Sequence, residues 1–337
     1  MKNLGALIFM ISIAMGIVPP KEGDFPEGVL ENLRNQGIGD VYGDPGWMRK
    51  IARLKTQNSR NIQSEFNLPV LLGKYSGSTT YFNASNFDEL LFGNNPTGSL
   101  IDYYDEISYG QFQIDGIVSG WYQSSLNQSQ AVDNVKQYVA EVAYLADSDL
   151  DYGQFDNDGP DNIPNSGDDD GYVDGIAVVY PGCLSGSSNL WAHQSSLGSN
   201  YEYVTNDQRP DGGYIVVSSY MVCPELDGQP NCNTSRICTI GLYAHEFGHI
   251  IGLPDLYDRD ESNGDSEGLG NWCLMAAANY LGDSGDTPGH MSSWCKIQMG
   301  WINPVISNSM ETNVQIAQLA TSPTAIKIWE DDYRSSR

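Results

Sequence analysis

The run Thr239-Ile240-Gly241-Leu242-Tyr243-Ala244-His245-Glu246-Phe247-Gly248-His249-Ile250-Ile251-Gly252-Leu253-Pro254-Asp255 constrains this chain more than any other stretch. It reads HExxHxxGxxD. On a helix, His245 and His249 are four apart and share one face. Two imidazoles so placed can grip one Zn²⁺ at about 2.0–2.1 Å each. Glu246 stands one residue off that face and can reach a water at the metal without occupying it, as a general base must. Gly252 is predicted to end the helix, because glycine enters left-handed backbone at no steric cost. Pro254 then forbids continuation. The chain turns, and Asp255 can swing back as a third, hard oxygen ligand. Three protein ligands leave a fourth position open, which marks a catalytic zinc rather than a structural one. HExxH alone is a weak signal that ordinary amphipathic helices also carry. The glycine and aspartate at fixed offsets give it weight.

Farther on, Asn271-Trp272-Cys273-Leu274-Met275-Ala276 places a methionine in a turn. It resembles the Met-turn beneath the zinc of metzincin peptidases. Met275 alone would read as plain core.

The first eighteen residues read as a secretory signal peptide: a short polar start, then an almost unbroken apolar run from Leu4 to Val18. That run is too short to span a bilayer comfortably, which takes about 20 apolar residues. No second run exists, so no stable membrane association is expected. Ala14-Met15-Gly16 fits the small-residue rule for cleavage only loosely. The six cysteines all lie between Cys183 and Cys295, and in an exported chain they suggest up to three disulfides of open connectivity. Cys223, Cys232 and Cys238 are spaced to staple the loop before the zinc helix, and Cys273 and Cys295 flank the Met-turn and a later helix. No CxxC occurs, which favours staples over a cysteine metal site.

The formal net charge of −26 is unevenly spread. The first sixty residues are slightly basic, and the excess of Asp and Glu lies in the remainder. An acidic body repels phosphates, which argues against a nucleic-acid partner. Part of this charge is concentrated in residues 147–175. There, Asp156-x-Asp158-Gly159 and Asp168-x-Asp170-Gly171-x-x-Asp174 alternate carboxylates with glycine turns. Such spacing lets side chains converge on a hard cation, and Ca²⁺ takes 6–8 oxygens. Asp156, Asp158, Asp168, Asp170 and Asp174 are therefore candidate calcium ligands. The loop is not a strict EF-hand, since the glutamate at position 12 is missing. The plainer reading is a solvated acidic loop.

Residues 19–60 read as a poorly packed lead-in, with turn signals at Gly37-Ile38-Gly39 and Asp44-Pro45-Gly46. The basic patch from Arg49 to Lys55 looks cleavable, so residues 19–65 are read as a pro-segment or linker. No cysteine precedes Cys183, which excludes a cysteine-to-zinc latency switch from this segment. Leu68–Leu72 is expected as a buried strand. A helix is expected over Ser99–Tyr109, with Ser99 as its cap. Phe112 and Ile114 open a strand or hairpin ending near Trp121. Ser129–Ala146 is the clearest helix, with Val132, Val135, Val139 and Val142 at helical spacing. Ile176–Tyr180 and Ile215–Val222 read as strands. Pro288–Met299 reads as a helix with Pro288 in its first turn and Gly300 past its end. The order implies an α+β (or α/β) domain: a twisted sheet, a backing helix, the motif helix and a Met-turn, with a cleft above the metal. His193, His290 and Tyr280 are further polar candidates. For the histidines the structural reading is preferred. Tyr280, five after Met275, could polarise a carbonyl, though a wall tyrosine is the safer reading.

Leu100–Gly110, Asp170–Gly175, Trp191-Ala192-His193, His245–Asp258, Trp272–Met275 and Ser293–Trp301 together resemble the secreted bacterial metalloproteases related to immune inhibitor A. The resemblance covers roughly residues 66–303 in the same order. It implies a zinc endopeptidase of metzincin-like fold, exported, calcium-stabilised and made with a pro-segment. It maps zinc binding onto His245 and His249 and the base onto Glu246, and Asp255 matches the family's aspartate. Two departures stand out: Pro160–Asp169 is an insertion in the aspartate loop, and residues 304–337 read as only the start of a C-terminal β region. The expected partners are protein or peptide substrates, acted on outside a bacterial cell by a monomer. The rival expectation is an inactive, calcium-stabilised extracellular binding or matrix module. An intact Glu246 between two histidines speaks against it.

Overall fold

The computed structural model describes residues 16–21, 25–38, 64–184, 190–229, 231–258, 266–307 and 314–328. Most of the apolar run assigned to the signal peptide and the basic patch of the lead-in lie outside these residues. In chain order the described strands are β1 (Gly16–Ile17), β2 (Glu65–Lys74), β3 (Gln113–Gln123), β4 (Ile176–Tyr180) and β5 (His193–Ser196). They continue with β6 (Tyr203–Gln208), β7 (Tyr214–Val217), β8 (Ser219–Pro224), β9 (Val305–Ile306) and β10 (Ile326–Lys327). The helices are α1 (Val29–Asn35), α2 (Ala84–Phe92), α3 (Leu100–Ser108), α4 (Gln128–Asp133), α5 (Val135–Ala146), α6 (Ile240–Ile250) and α7 (Ser293–Gln298).

The main sheet has six strands in the order β1-β5-β8-β4-β2-β3. The strands from β3 to β8 run parallel, and β5 pairs antiparallel with β8. Parallel strands need cover on both faces, and β2 and β4 are correspondingly apolar through their middles. Side chains alternate along β2. Gly73 points to α5: a Cβ there would lie 2.6 Å from Val142 Cγ2, and the Tyr138 hydroxyl donates to the Gly73 carbonyl at 2.8 Å. Phe66 points the other way and meets Phe247 of α6 edge-on, ring centroids 4.9 Å apart. The sheet is thus sandwiched between its backing helix and the motif helix. The fold is α+β and metzincin-like, as expected.

Several local expectations need correction. The helix expected over 129–146 is two helices, broken at Asn134, which leaves helical backbone (φ −147°, ψ 76°) and caps α5 through its side chain. The strand expected over Ile215–Val222 divides at Ser218 into β7, which pairs with β6, and β8, which joins the main sheet. The segment after Phe112 is one long strand beside β2, not a hairpin. The last helix starts at Ser293 with Ser292 as its cap, so Pro288 lies ahead of it. Finally, the lead-in is packed where it is described: α1 buries Val29, Leu30 and Leu33.

Candidate metal centre and cleft

Helix α6 is buried throughout, and its Phe247 is lodged among Phe66, Tyr104 and Phe112. The Tyr104 hydroxyl donates to the Ala244 carbonyl at 2.7 Å, and Tyr243 donates to Pro224 at 3.1 Å. The helix is thereby anchored on the side away from its histidines. Gly252 takes φ 105°, the chain reverses, and Asp255 returns to α6.

His245 Nδ1 lies 2.8 Å from the Leu274 carbonyl and His249 Nδ1 lies 2.7 Å from the Leu253 carbonyl. A carbonyl only accepts, so each Nδ1 carries the proton and each Nε2 is left with its lone pair. Burial also holds the His249 imidazole below its usual range, against the pull of the Asp255 carboxylate. The two Nε2 atoms are 3.1 Å apart, and Asp255 Oδ1 is 3.2 Å from His245 Nε2 and 3.1 Å from His249 Nε2. Ligands at about 2.0–2.1 Å around a tetrahedral ion stand roughly 3.3 Å from one another. The donor set and its spacing therefore fit a small N/O-liganded cation such as zinc. Two carboxylates near Asp255 in sequence do not join the set: Glu267 is exposed and Asp258 is outside this group. Glu246 is fully buried on the same helix.

The Met275 turn closes the centre from below. A Cβ on Gly248 would stand 2.5 Å from Met275 Sδ, so only glycine lets the thioether come this close to α6. The Met275 carbonyl accepts the Leu256 N–H at 2.7 Å, which ties the turn to the Asp255 segment.

A short strand from the chain's own beginning lies against this group. β1 pairs antiparallel with β5, Gly16 opposite Gln194 and Ile17 opposite His193. The Ile17 amide donates to Asp255 Oδ2 at 3.3 Å. Trp191 Nε1 donates to the Val18 carbonyl at 2.8 Å, Tyr280 Oη donates to the Pro19 carbonyl at 2.7 Å, and the Tyr257 hydroxyl donates to the Ile17 carbonyl. Sequence reasoning missed this strand. An apolar Gly-Ile-Val-Pro-Pro run at the end of a leader-like segment carries no mark of a cleft ligand, although Tyr280 was singled out as a group that could meet a carbonyl. His193 faces Ile17 across the β1–β5 pairing, but its ring is buried between the Trp191 carbonyl and the Tyr220 hydroxyl, and burial holds its imidazole down to about 4. His290 pairs with Glu106 at 2.9 Å.

Residues 74–302 match the model of the immune inhibitor A peptidase M6 catalytic domain. The chain belongs to the immune inhibitor A peptidase M6 family. Over 247 residues it is 27% identical to immune inhibitor A of Bacillus thuringiensis subsp. alesti, covering 61% of this chain and 34% of the relative. Over 292 residues it is 24% identical to the pre-pro-metalloprotease PrtV of Vibrio cholerae serotype O1 (strain M66-2), covering 74% of this chain and 29% of the relative. It therefore spans about a third of the length of the curated relatives it matches. M6 is a metalloprotease family, which implies a metal, and the His245–His249–Asp255 group lies inside the matched catalytic domain.

A second carboxylate group forms in the acidic loop. Oxygens of Asp156, Asp158 and Asp174 lie within 4.8 Å of one another. Asp168 and Asp170 are not in the group: Asp168 accepts from the Ser166 hydroxyl, and Asp170 Oδ1 accepts the Tyr172 N–H at 2.9 Å. Asp156 is the buried member; its Oδ2 accepts from Gly171 N at 3.1 Å, and its Oδ1 has no hydrogen-bond partner among the described residues. Burial, then the charges of Asp169, Asp170 and Asp158, push its carboxyl up to about 7. The one described disulfide joins Cys183 to Cys232, so Cys232 reaches across to the connection after β4 instead of pairing with its neighbours Cys223 or Cys238. No described helix is long and apolar enough to cross a membrane.

Proposed function

We propose that this chain is the catalytic part of an exported zinc-dependent endopeptidase that hydrolyses peptide bonds in proteins. The observation that carries the reading is the near-tetrahedral spacing of His245 Nε2, His249 Nε2 and Asp255 Oδ1 beside a buried Glu246. These three residues would hold the zinc. When bound, the ion acts as a Lewis acid: it polarises the scissile carbonyl and lowers the pKa of a water toward ~7.

The protein's own groups supply the rest. Glu246 takes a proton from the attacking water and returns it to the leaving amine. Strand β5 receives substrate as an added antiparallel strand, the pairing its edge already makes with β1. Trp191 Nε1 and the Tyr280 hydroxyl hold backbone carbonyls of that strand. The buried floor of Met275 and Phe247 keeps α6 rigid beneath the reacting atoms.

The segment from Gly16 to Lys21 occupies the place of substrate, so the form described is latent, and hydrolysis begins when this segment leaves. Export is by the amino-terminal leader. A cut ahead of Gly16, short of the eighteen residues read as leader, would leave both residues of β1 on the exported protein. The Asp156, Asp158 and Asp174 group is the proposed calcium site.

The deciding experiment measures zinc content and chelator-sensitive digestion of a protein substrate, before and after removal of residues 1–21. We expect about one zinc per chain and turnover that rises on removal and vanishes with chelator. A preparation that keeps its zinc yet cleaves nothing once the segment is gone overturns the enzyme reading in favour of a binding module.

A further inference from the structure

Away from the metal centre and the acidic loop, one pair of nucleophilic side chains stands at contact distance. Cys273 opens the turn that ends in Met275, and Cys295 lies in α7, 22 positions later. Both are fully buried, and their sulfurs are 3.8 Å apart. The two thiols share a hydrogen bond, and the Cys273 sulfur also accepts backbone N–H groups of Ser292, at 3.3 Å, and of Met275. These donors favour the anionic sulfur and lower the Cys273 thiol below the usual thiol range. They act only once α7 has packed; the exchange itself needs only a thiolate fraction of Cys273 while the chain is still open. Ser292 Oγ completes the set, 3.4 Å from Cys295 Sγ.

The geometry points to a Cys273–Cys295 disulfide in the oxidised protein, a covalent tie between the Met275 turn and α7. The oxidant is a small disulfide donor. The Cys273 thiolate attacks one donor sulfur, forms a mixed disulfide and expels one donor thiolate. Cys295 then gives up its proton and attacks the Cys273 sulfur, expelling the second donor thiolate. Two protein thiols lose two electrons, and one donor disulfide becomes two thiols. Because both sulfurs are buried, the exchange belongs to folding, before α7 packs. The tie secures what the next two residues do: the Leu274 carbonyl orients His245 and the Met275 carbonyl holds the Asp255 segment. A bond at Cys273 therefore restrains the turn from which two of the three proposed metal ligands are positioned.

The test refolds the full chain in oxidised and reduced glutathione, denatures it without reductant, alkylates it and maps the peptides by mass spectrometry. The Cys183–Cys232 link is the internal control. A cross-linked peptide joining Cys273 to Cys295 is expected; alkylation of both overturns the tie. A second arm, which rests on the zinc reading above, follows zinc release to a chromophoric chelator for oxidised wild type and for Cys295→Ser. The variant keeps Cys183–Cys232, so the comparison isolates one bond. It is expected to release zinc roughly 10-fold faster and to melt roughly 5–10 °C lower. Equal release overturns the role in metal retention, even if the cross-link is found. The mass map needs neither metal nor activity, so it stands or falls apart from the zinc reading.

Discussion

His245 Nδ1 donates to the carbonyl of Leu274, 2.8 Å away, so the turn that carries Met275 also sets which face of the imidazole meets a metal. A ligand held this way has a fixed tautomer and a fixed ring plane, and such outer contacts shape affinity nearly as much as the ligands. The consequences can be tested residue by residue.

Glu246 is adjacent to His245 but outside the three-ligand group. Glu246→Gln keeps the shape of the side chain and removes its basicity. We expect zinc content to stay near that of the wild type while peptide turnover falls by a factor of about 10²–10⁴. Metal analysis and kinetics on one preparation check this, and near-normal turnover would remove Glu246 from the role.

Asp255 closes the ligand triangle with one oxygen and accepts the Ile17 amide with the other. Asp255→Ala should weaken zinc binding roughly 10–100-fold, as loss of site-shaping groups generally does. Competition with a chelator of known affinity reads the change. Unaltered affinity would mean that another carboxylate takes the position.

Gly248→Ala sets two effects against each other. Alanine favours a helix over glycine by about 1 kcal/mol. The new methyl would meet Met275 Sδ at 2.5 Å and Cε at 3.1 Å, and overpacking a core typically costs about 1–3 kcal/mol. Steric conflict should win, lowering the melting temperature and speeding zinc loss together. A variant that is more stable than wild type would show that Met275 can step aside.

The acidic loop should respond to both pH and calcium. The folded carboxyl of Asp156 titrates near 7, above its unfolded value of about 3.9. The folded state therefore binds the extra proton between these values. Without a cation, stability is greatest below about pH 4 as far as this group is concerned. It is lost as pH rises toward 7, and is flat above. Calcium reverses the trend by binding the charged form, adding about 2.7 kcal/mol at a hundredfold excess over Kd. Melting curves at pH 5 and 8, with calcium added or withdrawn by a chelator that spares zinc, test this. A calcium-indifferent melting temperature at pH 8 would leave the loop as solvated surface.

What the sequence made legible was local. The histidine spacing, the glycine reversal at Gly252 and the cap at Ser99 each depend on residues within one or two turns, and the structure places them accordingly. The break at Asn134 was not legible, because Val132, Val135, Val139 and Val142 keep helical spacing straight across it. Its second anchor, the Tyr201 hydroxyl 2.7 Å from Asn134 Nδ2, is 67 positions away. The acidic loop shows the same limit. Spacing offered five aspartates and cannot tell which oxygens meet: those of Asp156, Asp158 and Asp174 lie within 4.8 Å of one another, while Asp168 and Asp170 accept hydrogen bonds from Ser166 and Tyr172. The strand at Gly16 was hidden for another reason: apolar residues that end an export leader and apolar residues that line a cleft look alike until the sheet edge they join is known.

That edge has a second consequence. With β1 seated, Gly16 and Ile17 cover the His193–Gln194 end of the outer edge of β5. An exposed strand edge is a template for unwanted pairing between molecules. If that segment stands in the way of substrate as proposed, it also shields this stretch of edge from other copies of the protein. Its loss would bare that edge, and at high concentration the freed strand would meet the chains of its neighbours.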